Sequence, residues 1–288
     1  MPPFWNTTVV TGGLEAYNMK KRIIAACVLL PLLLVVVLVL PKIFTAILFG
    51  LLAAIGAYEL LSGTGLVKSP VLIAQACVGA VCVALWSYFG GYVWALLVIL
   101  VYTALLYGQM LYTSGKLPYE KITVCFAGGL LVPFLLTALV RLHGHQYGRF
   151  YILIPFVLAF LSDTGAYFTG LKFGKHKLAP VISPKKTVEG LVGGVVGAIV
   201  GMFLFCLVLQ LFFNFKVNYL YALIYGILGS LGAVFGDLSF SVVKRQTGIK
   251  DYGNLIPGHG GVLDRFDSMT VVAPLVEVLC ILIPVVVK

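Results

Sequence analysis

The sequence predicts an all-α, polytopic integral membrane protein, and both its composition and its long apolar runs indicate this fold class. Of its 288 residues, 61% are hydrophobic and only 10% are charged, whereas a soluble domain carries about 25% charged residues. Runs such as 23–40 and 195–213 are long enough to cross a hydrocarbon core of roughly 30 Å as helices. A β-barrel is disfavoured because its strands would alternate polar and apolar residues.

Nine apolar segments have the length of a transmembrane helix, so we expect about nine spans. They cover residues 23–40, 43–61, 71–89, 92–112, 122–140, 150–170, 190–214, 219–240 and 268–287. Residues 1–18 are polar and are interpreted as an N-terminal extension, because three basic residues and the first apolar run follow Met19.

Basic residues are distributed unevenly between the two sides of these spans. With the basic start of the first span placed in the cytoplasm, that side holds 15 of the 20 Lys and Arg residues and the opposite side holds five. By the positive-inside rule this predicts a multi-pass protein of the cell (inner or plasma) membrane. The long polar loops 171–189 and 241–267 then both face the cytoplasm.

Small residues in the C-terminal half recur at the spacing that brings helices together in lipid. They are Gly190 with Gly194, the series Gly193, Gly197 and Gly201, and the series Gly229, Gly232 and Gly236. We therefore expect close helix packing in this half of the chain.

All five aspartates lie in short polar segments of the C-terminal half. Ser241 and Lys244 follow Asp237 at helical spacing, so a continuing helix presents all three on one face. Asp264 and Asp267 share a face if the ninth helix begins near them. Carboxylates and a hydroxyl from two helices suit Mg²⁺, which prefers oxygen ligands and shares its shell with phosphates. The alternative for any single aspartate is pairing with an arginine at a helix end.

A glycine-rich turn, Gly258-His259-Gly260-Gly261, directly precedes the last two aspartates. Glycine N–H groups can approach an anion without obstruction by a Cβ. His259 is a candidate phosphate donor or acid toward a leaving group, and a structural histidine is the alternative. The basic residues around the turn are Lys244, Arg245, Lys250 and Arg265.

A second polar segment begins with Asp163, which lies inside a predicted span, and an intramembrane carboxylate is a candidate functional residue. The following loop contains Ser183-Pro184-Lys185-Lys186-Thr187 and leads into a helix. Hydroxyls, lysines and a helix N-terminus suit phosphate binding. For the earlier lysines, within 172–177, a positive-inside loop is the simpler account. Glu59, at the end of the second span, is a lone acid for which a helix-end role and a site role stay open.

The stretch 241–267 resembles the signature of the phosphatidate cytidylyltransferases (CDP-diglyceride synthases). That signature is Ser-x-apolar-Lys-Arg-x4-Lys-Asp-x-small-x2-apolar-Pro-x-His-Gly-Gly-apolar-x-Asp-Arg-apolar-Asp, and every specified position is met. The upstream segments Asp-x-x-Ala-Tyr and Ser-Pro-Lys-Lys-Thr-x-Glu-Gly are also similar to that family. The resemblance runs from about residue 19 to residue 288.

The resemblance implies an enzyme of phospholipid biosynthesis, a nucleotidyltransferase that joins CTP and phosphatidic acid into CDP-diacylglycerol and pyrophosphate. It implies Mg²⁺ as cofactor, with K⁺ as a candidate second cation, and a homodimer in the lipid bilayer with no nucleic-acid partner. By position, Asp237, Asp264 and Ser241 would hold the metal, and Asp267 and His259 would also be catalytic. The substrate-binding residues would be Asp163, Ser183, Lys185, Lys186, Thr187, Lys244, Arg245, Lys250, Gly260, Gly261 and Arg265.

On this interpretation the chain comprises the extension 1–18, N-terminal transmembrane helices at 19–140 and a C-terminal catalytic region at 141–288. We expect in-line attack of a phosphatidate oxygen on the α-phosphorus of CTP, catalysed mainly by positioning and electrostatic stabilisation. Rivals are a CTP-using prenol or dolichol kinase, a cytidylyltransferase for another phospholipid, and a cation-coupled transporter. A transporter would place its acids at the midplane of inverted repeats, whereas these acids gather at one face beside basic loops.

Overall fold

The computed structural model describes residues 27–255 and 260–287, and most of these residues are helical. Seven helical segments are long and apolar enough to cross a membrane, which confirms the all-α polytopic membrane fold. They are Lys42–Gly63, Pro70–Phe89, Tyr92–Tyr112, Tyr119–His143, Gly148–Phe173, Val188–Phe213 and Tyr219–Gln246. The predicted extension 1–18 and the basic residues before the first span lie outside the described residues.

The helices are numbered in chain order. They are α1 Cys27–Leu38, α2 Lys42–Tyr58, α3 Pro70–Phe89, α4 Tyr92–Tyr112, α5 Tyr119–Phe126, α6 Val132–Leu136, α7 Ala138–His143, α8 Gly148–Tyr151, α9 Ile154–Phe173, α10 Val188–Phe213, α11 Tyr219–Gln246, α12 Leu263–Phe266 and α13 Met269–Leu282. A π-helical turn, Glu59–Gly63, continues α2, and a second, Ala127–Leu131, joins α5 to α6. Each long span is apolar on the sides that face lipid, as expected for a helix in a bilayer.

The ninth predicted span is shorter in the structure than the sequence pattern suggests, whereas the first is described only from residue 27 onward. The described part of the first is α1, and the ninth is the 14-residue helix α13, which contains Pro274. After α13 the chain forms a strand, β4 Val286–Val287, which pairs antiparallel with β3 Lys216–Val217. The end of the predicted ninth span is therefore not helical but is tied to the connection between α10 and α11.

The predicted loop 171–189 contains a β-hairpin. Strand β1, Lys177–Ala179, pairs antiparallel with β2, Ser183–Thr187. At its base the Val188 N–H donates to the His176 carbonyl, and the Glu189 carboxylate accepts the Lys175 N–H at 3.1 Å. These bonds hold the lysine-rich strand β2 directly before α10.

Glycines allow α9 and α10 to pack closely, as their spacing predicts. A Cβ at Gly165 of α9 would meet the Gly193 carbonyl of α10, and a Cβ at Gly197 would lie 2.5 Å from the Leu161 carbonyl oxygen. Helices with small residues at their contact approach until backbone meets backbone. This contact fixes α9 against the helix that follows the hairpin.

A partly buried ion pair joins α7 to α13 away from the polar loops. The Arg141 guanidinium binds the Glu277 carboxylate through Nε at 2.7 Å and through Nη2 at 2.8 Å. Its Nη1 also donates to the Ser87 hydroxyl of α3 at 3.1 Å. A bidentate pair of this kind fixes orientation as well as position, so three helices are held together here.

Candidate active site

All five aspartates line one cavity of about 590 Å³. Asp163 comes from α9, Asp237 from α11 and Asp251 from the segment after α11, while Asp264 lies in α12 and Asp267 at the junction with α13. The fold thus brings to one place acids that are far apart in the chain.

Helix α11 carries the first part of the site. It remains helical to Gln246, beyond the predicted end of the eighth span at residue 240. Asp237, Ser241 and Lys244 therefore share a face, as their spacing predicts, and the Ser241 hydroxyl donates to Asp237 Oδ1 at 3.2 Å. The first six residues of the predicted loop 241–267 are consequently part of this helix.

The Asp264 carboxylate is satisfied on both oxygens. Its Oδ1 binds Lys244 Nζ at 2.8 Å, and its Oδ2 accepts the N–H groups of Tyr252 at 2.8 Å and Gly261 at 3.1 Å. Both members of the Lys244–Asp264 pair are buried. Asp264 thus fixes α11 and two points of the following segment in one arrangement, and a metal would reach its Oδ1 only after Lys244 moved away.

The Asp267 carboxylate is less fully bonded. Its Oδ1 accepts the Ser268 N–H at 2.8 Å, and no donor among the described residues contacts its Oδ2. Burial, and to a lesser extent the neighbouring Asp237 carboxylate, raise the pKa of Asp267 to about 7. A cation bound beside Asp267 and Asp237 would favour the ionised form of this carboxyl and lower its pKa.

Gly236 is the reason that α11 and the α12–α13 junction can meet at this point. A Cβ at Gly236 would lie 2.8 Å from the Asp267 carbonyl oxygen and 3.0 Å from Ser268 Cα. Because hydrogen alone fits in this space, the backbones touch and Asp237 is placed beside the junction that carries Asp267.

The hairpin reaches the site through one lysine. Lys186 Nζ lies 2.5 Å from Asp237 Oδ2, and the Arg245 Nε–H donates to the Ile182 carbonyl at 3.2 Å. Thr187 caps α10 by accepting the Gly190 N–H at 3.1 Å. Of the predicted phosphate-binding run, Lys186 contacts a cavity carboxylate, and Thr187 has a structural bond.

The other predicted substrate-binding residues lie around the cavity. Arg265 lines it, Gly260 has a positive φ of 84°, and the Gly261 N–H is bonded to Asp264. Exposed positions at the same end of the helices are Lys185, Arg245 and Lys250, and Ser183 is half-buried. His259 lies outside the described residues.

The residues present fit a magnesium ion. Asp237, Ser241 and the Asp267 carboxylate offer the oxygen donors that Mg²⁺ prefers, and this ion is usually held by one or two carboxylates plus water and substrate phosphates. The described residues contain no cluster of three or more His, Cys, Asp or Glu side chains poised to hold a metal by themselves. A metal here would therefore depend on substrate oxygens and on the departure of Lys186 from Asp237.

The cavity also has an apolar lining. Its residues are Leu29, Leu30 and Leu33 of α1, Phe156, Ala159 and Phe160 of α9, and Phe266 and Met269 near α12. One cavity thus combines charged and apolar lining residues, which suits a molecule with a phosphate headgroup and acyl chains.

The chain matches the model of the cytidylyltransferase family over residues 20–283. The chain belongs to the cytidylyltransferase family. It is similar to proteins named phosphatidate cytidylyltransferase, with 47% identity to that of Staphylococcus saprophyticus, 46% to that of Staphylococcus epidermidis and 45% to that of Staphylococcus aureus. Each match covers 134 residues, 46% of this chain and 50% of the relative. The chain spans about half the length of the curated relatives it matches.

Two residues beside the aspartate cavity were not among the site residues predicted from the sequence. Tyr252 is buried, and its hydroxyl donates to the Phe240 carbonyl at 2.9 Å while its N–H binds Asp264. Glu59 accepts the N–H groups of Val262 at 3.0 Å and Leu263 at 2.8 Å. In the sequence, Glu59 stands out as a lone acid at the end of an apolar span. The structure shows that it binds the start of α12.

Proposed function

We propose that the protein is a phosphatidate cytidylyltransferase, which transfers the cytidylyl group of CTP to phosphatidic acid and releases pyrophosphate. The observation that carries this proposal is the mixed lining of the cavity, in which five aspartates and neighbouring basic side chains occur together with apolar side chains. Membership of the cytidylyltransferase family and the printed names of the relatives support the same activity.

Charged and apolar lining residues would bind different parts of the substrates. The triphosphate of CTP would bind the basic side chains Lys186, Lys244 and Arg265, which lie at the carboxylates. Lys185, Arg245 and Lys250 are exposed at the same end and are further candidates for phosphate contact. The acyl chains of phosphatidic acid would lie against the apolar lining residues.

Mg²⁺ would be held by Asp237 and Ser241 together with Asp264 or Asp267. When bound, it would offset negative charge on the phosphates of the substrates. The geometry favours Asp267 over Asp264 as the second carboxylate, because Asp264 is already bonded to three donors. A second cation such as K⁺ would reach Asp264 only if Lys244 left its carboxylate for a substrate phosphate.

The chemistry needs little acid–base assistance from the protein. A phosphatidate oxygen, which already carries negative charge, forms the new bond to the α-phosphorus, and the bond from that phosphorus to the bridging oxygen breaks so that pyrophosphate leaves with its charge. Such transfers are catalysed by positioning and by electrostatic stabilisation. Lys186 and Lys244 would exchange their carboxylate partners for phosphate oxygens as the substrates bind.

We also propose that the site faces the cytoplasm, which supplies CTP, and that the protein acts as a homodimer in the cell membrane. The orientation is supported by the excess of basic residues at the site end. The homodimer rests on the family resemblance. Helix α4 offers a face for it, because only Tyr102 and Leu106 of its 21 residues are buried within the chain.

The decisive assay supplies purified protein with CTP labelled at the α-phosphate and with phosphatidate, other lipid phosphates or polyprenol, in Mg²⁺ or in EDTA. We expect labelled liponucleotide and pyrophosphate from phosphatidate, and only with Mg²⁺. A phosphorylated polyprenol with release of CDP would instead make the protein a kinase. Preference for another lipid phosphate would change the acceptor but not the reaction class.

A further inference from the structure

Glu59 is a buried carboxylate whose described partners are backbone N–H groups 203 and 204 residues away. It is 4% exposed, and it opens the π-helical turn that ends α2. Its two oxygens are divided between Val262 and Leu263, one N–H to each. A π-turn within a helix is uncommon and occurs frequently at functional sites.

The Glu59 carboxylate is packed closely against glycines of the segment that follows α11. A Cβ at Gly253 would lie 2.5 Å from Glu59 Oε1, and a Cβ at Gly261 would lie 2.6 Å from each of its oxygens. A Cβ at Gly63, on the same turn, would meet the Tyr252 carbonyl oxygen. Two glycines therefore enclose Glu59, and the end of α2 is seated against the segment that carries the site.

The bonds to Glu59 fix the residues immediately before the reacting groups. Val262 and Leu263 are followed directly by Asp264 and Arg265, and Asp267 closes the same helical turn. A short helix of four residues has little stability of its own, so an external acceptor for its first N–H groups decides where it lies. Glu59 and Asp264 then act on the same short stretch from opposite sides.

We propose that Glu59 is a positioning residue for cytidylyl transfer, which holds the backbone of 261–263 so that Asp264, Arg265 and Asp267 face the substrates. This inference rests on the proposed function. Glu59 does not line the cavity of the aspartates, so it acts through these neighbours and not on the reacting atoms.

Three variants test it. Glu59→Gln keeps the shape but replaces one acceptor by an NH₂ group, which faces an N–H donor. Glu59→Asp keeps the charge on a shorter side chain. Gly253→Ala leaves Glu59 intact and pushes a methyl group against its Oε1. The matched control is Glu277→Gln, which removes another half-buried carboxylate with two hydrogen bonds, at Arg141 and away from the cavity.

Three kinds of measurement are needed: hydrogen exchange of the peptide covering 260–266, thermal unfolding, and steady-state kinetics. The kinetics give kcat, the KM for CTP and the Mg²⁺ concentration for half-maximal rate.

For Glu59→Gln we expect at least tenfold faster exchange and a kcat lower by about 10- to 100-fold, because small displacements of reacting groups greatly reduce the rate. The Mg²⁺ requirement should rise, and Glu59→Asp and Gly253→Ala should lie between this variant and the wild type. Glu277→Gln should lower the unfolding temperature and leave exchange at 260–266 and kcat unchanged.

The inference is overturned if Glu59→Gln lowers the unfolding temperature, as Glu277→Gln does, but leaves hydrogen exchange at 260–266 and kcat at wild-type values. If Glu59→Gln does not fold, the same outcome in Glu59→Asp overturns it. A wild-type protein that transfers no cytidylyl group would refute the proposed function separately. In that case, unchanged hydrogen exchange at 260–266 in the Glu59 variants would also show that Glu59 does not hold this segment. Faster exchange would show that Glu59 holds the segment but not for cytidylyl transfer.

Discussion

Two lysines act as counter-ions to the two carboxylates that the sequence assigns to a metal. Lys186 is paired with Asp237 at 2.5 Å and Lys244 with Asp264 at 2.8 Å. The first pair is partly exposed, with side-chain exposures of 24% and 30%, whereas the second is buried. Substrate phosphates can accept the lysines while a cation takes the carboxylates, so binding of metal and of nucleotide should favour each other.

The different burial of these pairs predicts different outcomes for Asp237→Asn and Asp264→Asn. Both should lower CDP-lipid synthesis by at least about 100-fold: Asp237→Asn removes a metal ligand, and a metal contributes several kcal/mol to such transfers. Asp264→Asn weakens the bonds that hold Lys244 and the backbone of Tyr252 and Gly261 in place. Asp237→Asn should change the free energy of unfolding by about 1 kcal/mol or less, because its pair is exposed. Asp264→Asn should lower the free energy of unfolding by about 3 kcal/mol or more, because it leaves the buried Lys244 without its charged partner.

The measurements are initial rates at saturating CTP and denaturation in the same detergent. Glu120→Gln is the matched control, since this carboxylate is exposed on α5 and outside the cavity. Wild-type rates for Asp237→Asn would show that the metal assignment is wrong.

Lys186→Met should strengthen metal binding when CTP is absent. The lysine competes with a cation for Asp237, and a partly exposed pair is worth about 1 kcal/mol at most, so the dissociation constant for Mn²⁺ should fall about two- to fivefold. The KM for CTP should rise, because a phosphate contact is lost. Electron paramagnetic resonance of Mn²⁺ measures the first effect, with Lys116→Met, an exposed lysine outside the cavity, as control. Weaker Mn²⁺ binding in Lys186→Met would contradict the exchange of partners.

At the scale of elements, the long spans were predictable and the short ones were not. Apolar runs of about 20 residues specify helices in lipid regardless of their neighbours, so α3 and α4 match the predicted spans 71–89 and 92–112. The sequence predicts a loop in place of the β1–β2 hairpin, because three- and five-residue strands rich in lysine carry no apolar alternation. The helical spacing of Asp237, Ser241 and Lys244, by contrast, was local information and could be derived from sequence.

Gly236→Ala should impair the enzyme by separating two elements of the site. The added methyl group would lie 2.8 Å from the Asp267 carbonyl oxygen, which is backbone and cannot turn away, so the α12–α13 junction must shift from α11. This shift of the junction that carries Asp267 should lower kcat by about 10- to 100-fold.

Gly108→Ala is the matched control for that variant. It makes the same substitution within α4, where a Cβ would meet nothing within 4 Å, and it should leave the rate within about twofold while not weakening the helix. Equal rates for wild type and Gly236→Ala would show that close contact of α11 with the junction is not required.

At the scale of the whole molecule, the site depends on both halves of the chain. The α1 leucines line the cavity, and Glu59 of α2 binds the start of α12. These contacts could not be predicted, because they join segments more than 200 residues apart and no local pattern encodes which acid reaches which N–H. What could be predicted was the set of charged residues that converge, since a membrane span carries so few that each one stands out.

The distribution of charge over the described helices predicts how the molecule lies in the membrane. Basic residues at the end that carries the site are Lys68, Lys116, Lys121, Lys172, Lys175, Lys177, Lys185, Lys186, Lys244, Arg245, Lys250 and Arg265. Those toward the other end are Lys42, Arg141, Arg149 and Lys216. From the positive-inside rule we expect the first end to be cytoplasmic. CTP supplied to inside-out vesicles should then be consumed, whereas CTP outside right-side-out vesicles should not.

Labelling with a membrane-impermeant maleimide tests this orientation independently of activity. A cysteine introduced as Lys175→Cys should react in inside-out vesicles, and one introduced as Lys216→Cys should react in right-side-out vesicles, since both positions are exposed at opposite ends of α10. The unmodified chain is the control, because its six cysteines lie within helices where a polar reagent reacts slowly. The reverse pattern would place the aspartate cavity on the side away from cytoplasmic CTP, and the proposed reaction would then have no access to its nucleotide.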